Sequence, residues 1–228
     1  MTTVDPVAVA AAVAAVRERI RVLAGDRSVE LIAVTKGFGR DAVEAAIAAG
    51  CHAIGENYAQ ELRDKLHGFE AAVGMPAPVV HFIGGLQTNK VRVVAGLVDV
   101  WQSVDRIALA DEIVRRRPGA TVFVQVNTTG EQTKSGCRPE DVGGLVVHCA
   151  RSGLAVEGLM TIGPTSGDRA STVAAFALLA RLGHDNGLRS LSMGMSADLD
   201  LAVAHGATHV RIGSALFGPR PHRSTQIG

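Results

Sequence analysis

Aromatic residues are scarce in this sequence: six phenylalanines, one tryptophan and one tyrosine among 228 residues. Cysteine is scarcer still. Cys51, Cys137 and Cys149 are odd in number and form no C-x-x-C pair, so they read as reduced thiols of a cytoplasmic protein, not as a disulfide framework or a zinc site. No apolar run reaches the ~18 residues that a membrane-spanning helix requires. The start, Met1-Thr2-Thr3-Val4-Asp5-Pro6, lacks the basic-then-apolar order of a secretory signal. Charge of one sign is missing too. Twenty-three basic and 22 acidic residues leave a net +1, and the basic ones are scattered, so neither a nucleic-acid partner nor a membrane partner is expected. The one basic run, Arg115-Arg116-Arg117, ends a predicted helix just before Pro118-Gly119, where cations suit the negative end of the helix dipole.

What is present is a globular composition, 47% hydrophobic and 20% charged, which excludes a disordered chain. A chain of this length buries roughly 70% of its unfolded surface, so metal or disulfide staples are not needed. No Pro/Gly/Ser linker or composition shift divides it, and a single domain over 1–228 is expected.

Asp5 and Pro6 punctuate the start of a first helix, whose apolar stripe is Val9, Val13, Val16, Ile20 and Leu23, and Gly25 is placed to end it. A repeated beat follows. Strand patterns at 31–36, 51–55, 79–84, 99–103, 121–127, 155–162, 190–194 and 208–213 alternate with helical patterns at 41–49, 58–72, 88–95, 106–117, 141–152, 171–186 and 197–206. Eight strands joined by helical crossovers pair in parallel. The count predicts an α/β fold, a (β/α)8 TIM barrel with an extra N-terminal helix, in preference to an open doubly wound sheet.

In such a barrel, chemistry sits at the C-terminal rim of the strands. Lys36 ends the first strand on the same face as Ile32 and Val34, so its ammonium follows aliphatic residues towards the interior. Desolvation there is expected to lower its pKa and favour the neutral amine that a Schiff base with an aldehyde requires. At the last strand, Gly213 and Ser214 open a turn whose backbone N–H groups and hydroxyl suit a phosphate, with Arg211 on the same strand face as Gly213. Ser196, after the seventh strand, suits a plain helix N-cap as readily as a second phosphate ligand, and the two roles are compatible because both use the same helix dipole. Asn57 is either a contact to a bound ring or the cap of the next helix. His81 reads as a satisfied core histidine, Met193 and Met195 as packing residues, and 130–136 as a mobile polar loop with Lys134 solvated.

Six blocks then carry a resemblance: Ala33-Val34-Thr35-Lys36, Gly55-Glu56-Asn57-Tyr58, His81-Phe82-Ile83-Gly84 with Leu86-Gln87 and Asn89-Lys90, Gly158-Leu159-Met160-Thr161, Leu191-Ser192-Met193-Gly194-Met195-Ser196-Ala197-Asp198, and Arg211 to Gly218. Together, in order and over nearly the whole chain, they resemble the pyridoxal 5′-phosphate homeostasis proteins, also called the proline-synthetase co-transcribed family. The resemblance implies a barrel similar to the N-terminal domain of alanine racemase, binding pyridoxal 5′-phosphate. It places Lys36 where the family lysine forms the Schiff base, Gly213, Ser214 and Ser196 where the phosphate is held, and Arg211 where an arginine faces the pyridine nitrogen. The chain departs from the family after the lysine. Where the family often continues towards a proline, this sequence reads Gly37-Phe38-Gly39, which questions the stiffness of that loop.

An arginine at the pyridine nitrogen disfavours its protonation and weakens the ring as an electron sink. Racemisation also needs a second proton donor, supplied in alanine racemase-like enzymes by a tyrosine of a C-terminal domain that these 228 residues do not include. The expectation is therefore a cytoplasmic, monomeric, non-catalytic carrier that needs no metal and that buffers the cofactor or delivers it to apo-enzymes. A racemase, or a sugar-phosphate barrel enzyme acting through Lys36, is the alternative.

Overall fold

In a computed structural model of the chain, residues 4–69 and 76–219 are described. Helix α1 (Pro6–Ala24) begins where Asp5 accepts the backbone N–H of Val7 at 2.9 Å, and ends where Gly25, at φ +59°, returns its N–H to Arg21. Val9, Val13, Ile20 and Ala24 are buried, whereas Leu23, expected on this stripe, is exposed and Ala24 takes its place. Arg17 ties the helix down by donating to the carbonyls of Ala49 and Gly50.

Eight strands follow: β1 (Glu30–Val34), β2 (Ala53–Glu56), β3 (Val79–Phe82), β4 (Val100–Val104), β5 (Thr121–Gln125), β6 (Ala155–Met160), β7 (Ser190–Ser192) and β8 (His209–Ile212). Each pairs in parallel with the next, and β8 returns to β1 with Arg211 opposite Ile32, which closes the barrel. The intervening helices are α2 (Arg40–Ala48), α3 (Ala59–Leu66), α4 (Val91–Val94), α5 (Ile107–Arg116), α6 (Val142–Arg151), α7 (Arg169–Asp185) and α8 (Leu199–Ala204), and a short α9 (Ser214–Phe217) follows β8. The expected (β/α)8 barrel with its extra first helix is the observed fold.

Boundaries differ in instructive ways. The helical pattern at 88–95 splits into a 3₁₀ turn (Thr88–Lys90) and α4, and α6 is likewise preceded by a 3₁₀ turn at Pro139–Asp141. Helix α3 stops at Leu66, and the part of its predicted span at 70–72 lies outside the described residues. Strand β1 ends at Val34, two residues before Lys36, although the N–H of Thr35 still reaches the carbonyl of Gly55 at 3.1 Å.

Strand alternation makes two cores. Leu31, Ala33, Ile54, Val80, Phe82, Val122, Leu159 and Val210 face outward and pack under the helices. Inside, apolar Ile32, Val34, Phe123 and Met160 share the barrel with polar His81, Gln102, Gln125, Ser192 and Arg211, all buried. An apolar core would be cheaper, so this many buried polar groups need partners, and each of the five side chains makes at least one hydrogen bond, although Gln125 Oε1 has none. The three cysteines are buried and free of disulfides. Among the described residues no helix is long and apolar enough to cross a membrane, and no cluster of His, Cys, Asp and Glu could hold a metal ion.

Candidate functional site

At the C-terminal rim, a cavity of about 290 Å³ is lined by Val34, Lys36, Phe38, Asn57, Ile83, Ile162, Met195, Ser196, Ala197, Arg211, Gly213 and Ser214. All six residues singled out in the sequence (Lys36, Asn57, Ser196, Arg211, Gly213 and Ser214) meet there, although they come from four separate stretches of the chain. The volume lies at the lower end of the ~300–1,000 Å³ typical of small-molecule sites. A wider groove of about 880 Å³ adjoins it across Phe38 and Asn57.

The floor is Arg211. It is buried, with Nη1 donating to Ser192 Oγ and Nη2 to the carbonyl of Thr161, each at 2.7 Å. Burial pulls its pKa down to about 10, against the attraction of Asp198, so the guanidinium stays charged at neutral pH. Among the described residues it makes no ion pair within 4 Å, and it lines the cavity. Just past the end of β8, Gly213 can lie close to β1 because it lacks a side chain: a Cβ there would lie 3.2 Å from the carbonyl oxygen of Val34. The hydroxyls of Ser214 and Ser196 lie 3.4 Å apart. The first bonds of α9 are those of Leu216 and Phe217 N–H to the Gly213 carbonyl, so the N–H groups of Ser214 and Ala215 precede any intrahelical bond.

Two capping alternatives fall. Helix α8 begins at Leu199 with Asp198 as its N-cap, leaving Ser196 outside the helix and on the cavity wall. Helix α3 is preceded by Tyr58, without a side-chain cap, and the Oδ1 of Asn57 is buried without a partner. A buried carbonyl oxygen in that state calls for a donor. Two further expectations are corrected. Met193 is core, but Met195 is exposed and lines the cavity. Lys134 is not solvated: Glu131 holds it at 2.8 Å, its Nζ also reaches the Gly163 carbonyl, and Asn127 and Thr165 stitch its loop.

Residues that the sequence reading passed over hold Lys36 in place. Lys65 on α3 is buried and pairs with Glu56, at the end of β2, and with Glu61 at 3.3 Å. Lys65 also donates to the Thr35 carbonyl at 2.8 Å, Thr35 Oγ1 donates to Glu56 Oε1 at 2.5 Å, and the Gly37 N–H donates to Glu61 Oε1 at 2.5 Å. Both neighbours of Lys36 are therefore bound to one buried ionic cluster.

Residues 9–221 match the family described as the N-terminal domain of alanine racemase. A pyridoxal phosphate homeostasis protein from Pseudomonas aeruginosa is 41% identical over 222 residues, covering 94% of this chain and 95% of its own. One from Escherichia coli is 36% identical over 207 residues, covering 85% and 87%. The chain belongs to the pyridoxal phosphate homeostasis protein family. Among solved structures, PipY of Synechococcus elongatus with PLP bound is similar at a TM-score of 0.79 and 33% identity, covering 92% of this chain and 100% of that one. Alanine racemase from Bartonella henselae, at a TM-score of 0.72 and 14% identity over 98% of this chain and 62% of that one, shows the shared barrel alone.

This member of the family lacks the proline that often follows the lysine, and it stiffens the loop otherwise. Gly37, at φ +80°, makes a turn in which the Phe38 N–H returns to the Thr35 carbonyl at 3.1 Å. Phe38 then packs against Phe217 of α9, ring centroids 5.4 Å apart.

His81 is a core histidine, as expected, with its Nδ1 2.8 Å from Gln102 Nε2. Burial, partly countered by Glu30 and reinforced by His209, pushes its pKa down to about 4. A histidine depressed in the fold stabilises it fully above its ordinary value, and that contribution is lost as pH falls from about 6.5 through about 4. Denaturant titrations should show roughly 3 kcal/mol lost over that window, and His81→Gln should lose that much less.

Proposed function

We propose that this chain binds pyridoxal 5′-phosphate in the rim cavity as one domain over residues 1–228, and that it stores the cofactor and hands it to apo-enzymes. The carrying observation is the convergence of an amine (Lys36), a buried cation (Arg211) and two hydroxyls beside backbone N–H groups (Ser196, Ser214, Gly213) on one cavity with apolar walls. That donor set fits the group: an aldehyde, a ring nitrogen and a phosphate each have a counterpart, and the partnerless Oδ1 of Asn57 supplies an acceptor for a phenolic hydroxyl.

When bound, the cofactor supplies an aldehyde that condenses reversibly with a primary amine. Lys36 presents that amine from a loop clamped on both sides. Val34, Ile83 and Ile162 give the cavity apolar walls. Ser196 and Ser214 donate hydroxyls, and the turn donates N–H groups, to the phosphate. Arg211 would set its positive charge against the ring nitrogen of the bound cofactor and so oppose a proton there. A ring held unprotonated withdraws electrons weakly, which suits retention over amino-acid chemistry.

The racemase reading needs a second proton donor in the cavity. Tyr58, the sequence's one tyrosine, is exposed and lines the neighbouring groove instead, which supports the carrier reading. Mixing cofactor-loaded protein with an apo-enzyme decides delivery. Reactivation faster than free-cofactor release is expected. Rates equal to that release leave storage alone, and interconversion of alanine enantiomers at ordinary enzyme rates overturns the carrier reading.

The phosphate assignment has its own test. The Ser196→Ala/Ser214→Ala variant removes two hydrogen bonds to a charged group, each worth about 1.5–3 kcal/mol. Its dissociation constant for the phosphorylated cofactor should rise about a hundredfold or more, while that for unphosphorylated pyridoxal stays near the wild-type value. An equal change for both would place the phosphate elsewhere.

A further inference from the structure

The guanidinium of Arg211 is one end of a hydrogen-bond chain that crosses the barrel interior. Arg211 on β8 donates to Ser192 Oγ on β7 at 2.7 Å, Ser192 Oγ donates to Gln102 Oε1 on β4 at 2.7 Å, and Gln102 Nε2 meets His81 Nδ1 on β3 at 2.8 Å. All four residues are buried, and only Arg211 lines the cavity.

Arginine has five N–H donors and no acceptor. Ser192 must therefore accept from it, which leaves the serine's own proton for the next partner. Gln102 takes that proton on Oε1, so its NH₂ is turned towards His81. The histidine must answer with an unprotonated Nδ1. Every link is neutral beyond the arginine, so the chain fixes the guanidinium without cancelling its charge, as a carboxylate would. The separate bond from Nη2 to the Thr161 carbonyl gives the guanidinium plane a second fixed point.

We infer that this chain runs in one direction, from Arg211 to His81, and that Ser192, Gln102 and His81 are positioning residues that aim the Arg211 charge into the cavity. The direction is independent of what fills the cavity. The aim matters to the cofactor only if the function proposed above holds.

Long-range ¹H–¹⁵N spectra of the histidine-labelled protein without ligand test the direction. Wild-type His81 is expected as the Nε2–H tautomer. In Ser192→Ala the glutamine loses its donor and is free to turn over, so an Nδ1–H population should appear. An Nδ1–H histidine in the wild type, or an unaltered His81 in Ser192→Ala, overturns the direction. Aim is tested by cofactor affinity. His81→Leu, which offers no acceptor, should raise the dissociation constant about two- to tenfold, the usual value of one hydrogen bond. His81→Gln, which restores an acceptor, should recover most of it. Equal loosening by both variants overturns the positioning role. A wild-type protein that takes up no cofactor would remove the proposed function and the role with it, while the spectra would still decide the direction.

Discussion

Lys36→Ala is expected to reduce borohydride-fixed pyridoxal phosphate to background and to abolish the visible absorption band of the loaded protein, with the fold retained. The sequence contains four lysines, Lys36, Lys65, Lys90 and Lys134, and their surroundings separate them. Lys65 is buried between two carboxylates, Glu56 and Glu61, and its amine is engaged by both of them and by the Thr35 carbonyl. Lys134 is paired with Glu131 and a backbone carbonyl. Lys90 is exposed at the edge of the wider groove. Only Lys36, among these, lines the cavity that also holds Arg211, Ser196 and Ser214. Peptide mapping after reduction should therefore find the label on Lys36 in the wild type. Undiminished label in Lys36→Ala, mapped to another lysine, would move the cofactor site. A wild type that stays colourless after cofactor is added would favour the sugar-phosphate reading of the same cavity.

Lys36, Arg211, Gly213 and Ser214 were legible in the sequence because they lie at or just beyond the ends of β1 and β8, and in a closed barrel strand ends converge on one rim whatever separates them along the chain. Alternation on β1 and β8 further gave the inward face. The residues that fix these groups were not legible. Lys65 sits in a stretch, Ala59 to Leu66, that looks like an ordinary charged surface helix, and nothing in the local pattern says that this lysine turns inward to meet Glu56 and the Thr35 carbonyl. Glu56 was visible within Gly55-Glu56-Asn57 but without a partner to give it meaning. Gln102 and Ser192 read only as polar positions in strands, because their bond joins residues 90 apart in sequence. Caps failed for the opposite reason. Ser196 and Asn57 have the residue types that local capping rules favour, but Asp198 takes the capping position of α8 and Tyr58 precedes α3.

Lys65→Met is expected to lower the unfolding free energy by roughly 3–5 kcal/mol, because it leaves Glu56 buried without its counter-ion. For a chain of this size that is a drop of roughly 6–20 °C in Tm. Burial already raises the Glu56 carboxyl above its ordinary value, opposed by the charge and hydrogen bond of Lys65 and by the Thr35 hydroxyl. Without Lys65 it rises further. A carboxyl raised in the folded state favours folding below its ordinary value and loses that contribution as pH climbs through the raised one. The deficit of Lys65→Met should accordingly be small in acid and grow towards neutral pH, and Glu56→Leu/Lys65→Met should recover most of it at neutral pH. A deficit independent of pH, or a double variant no better than the single, would mean that the cluster contributes packing and not charge compensation. Cofactor retention should separate from stability in the same pair. Of this pair it is Lys65 that donates to the Thr35 carbonyl beside Lys36, so the stabilised double variant should still release the cofactor faster than the wild type. Restored retention together with restored stability would show that the cluster supports the barrel as a whole and not the loop that carries the amine.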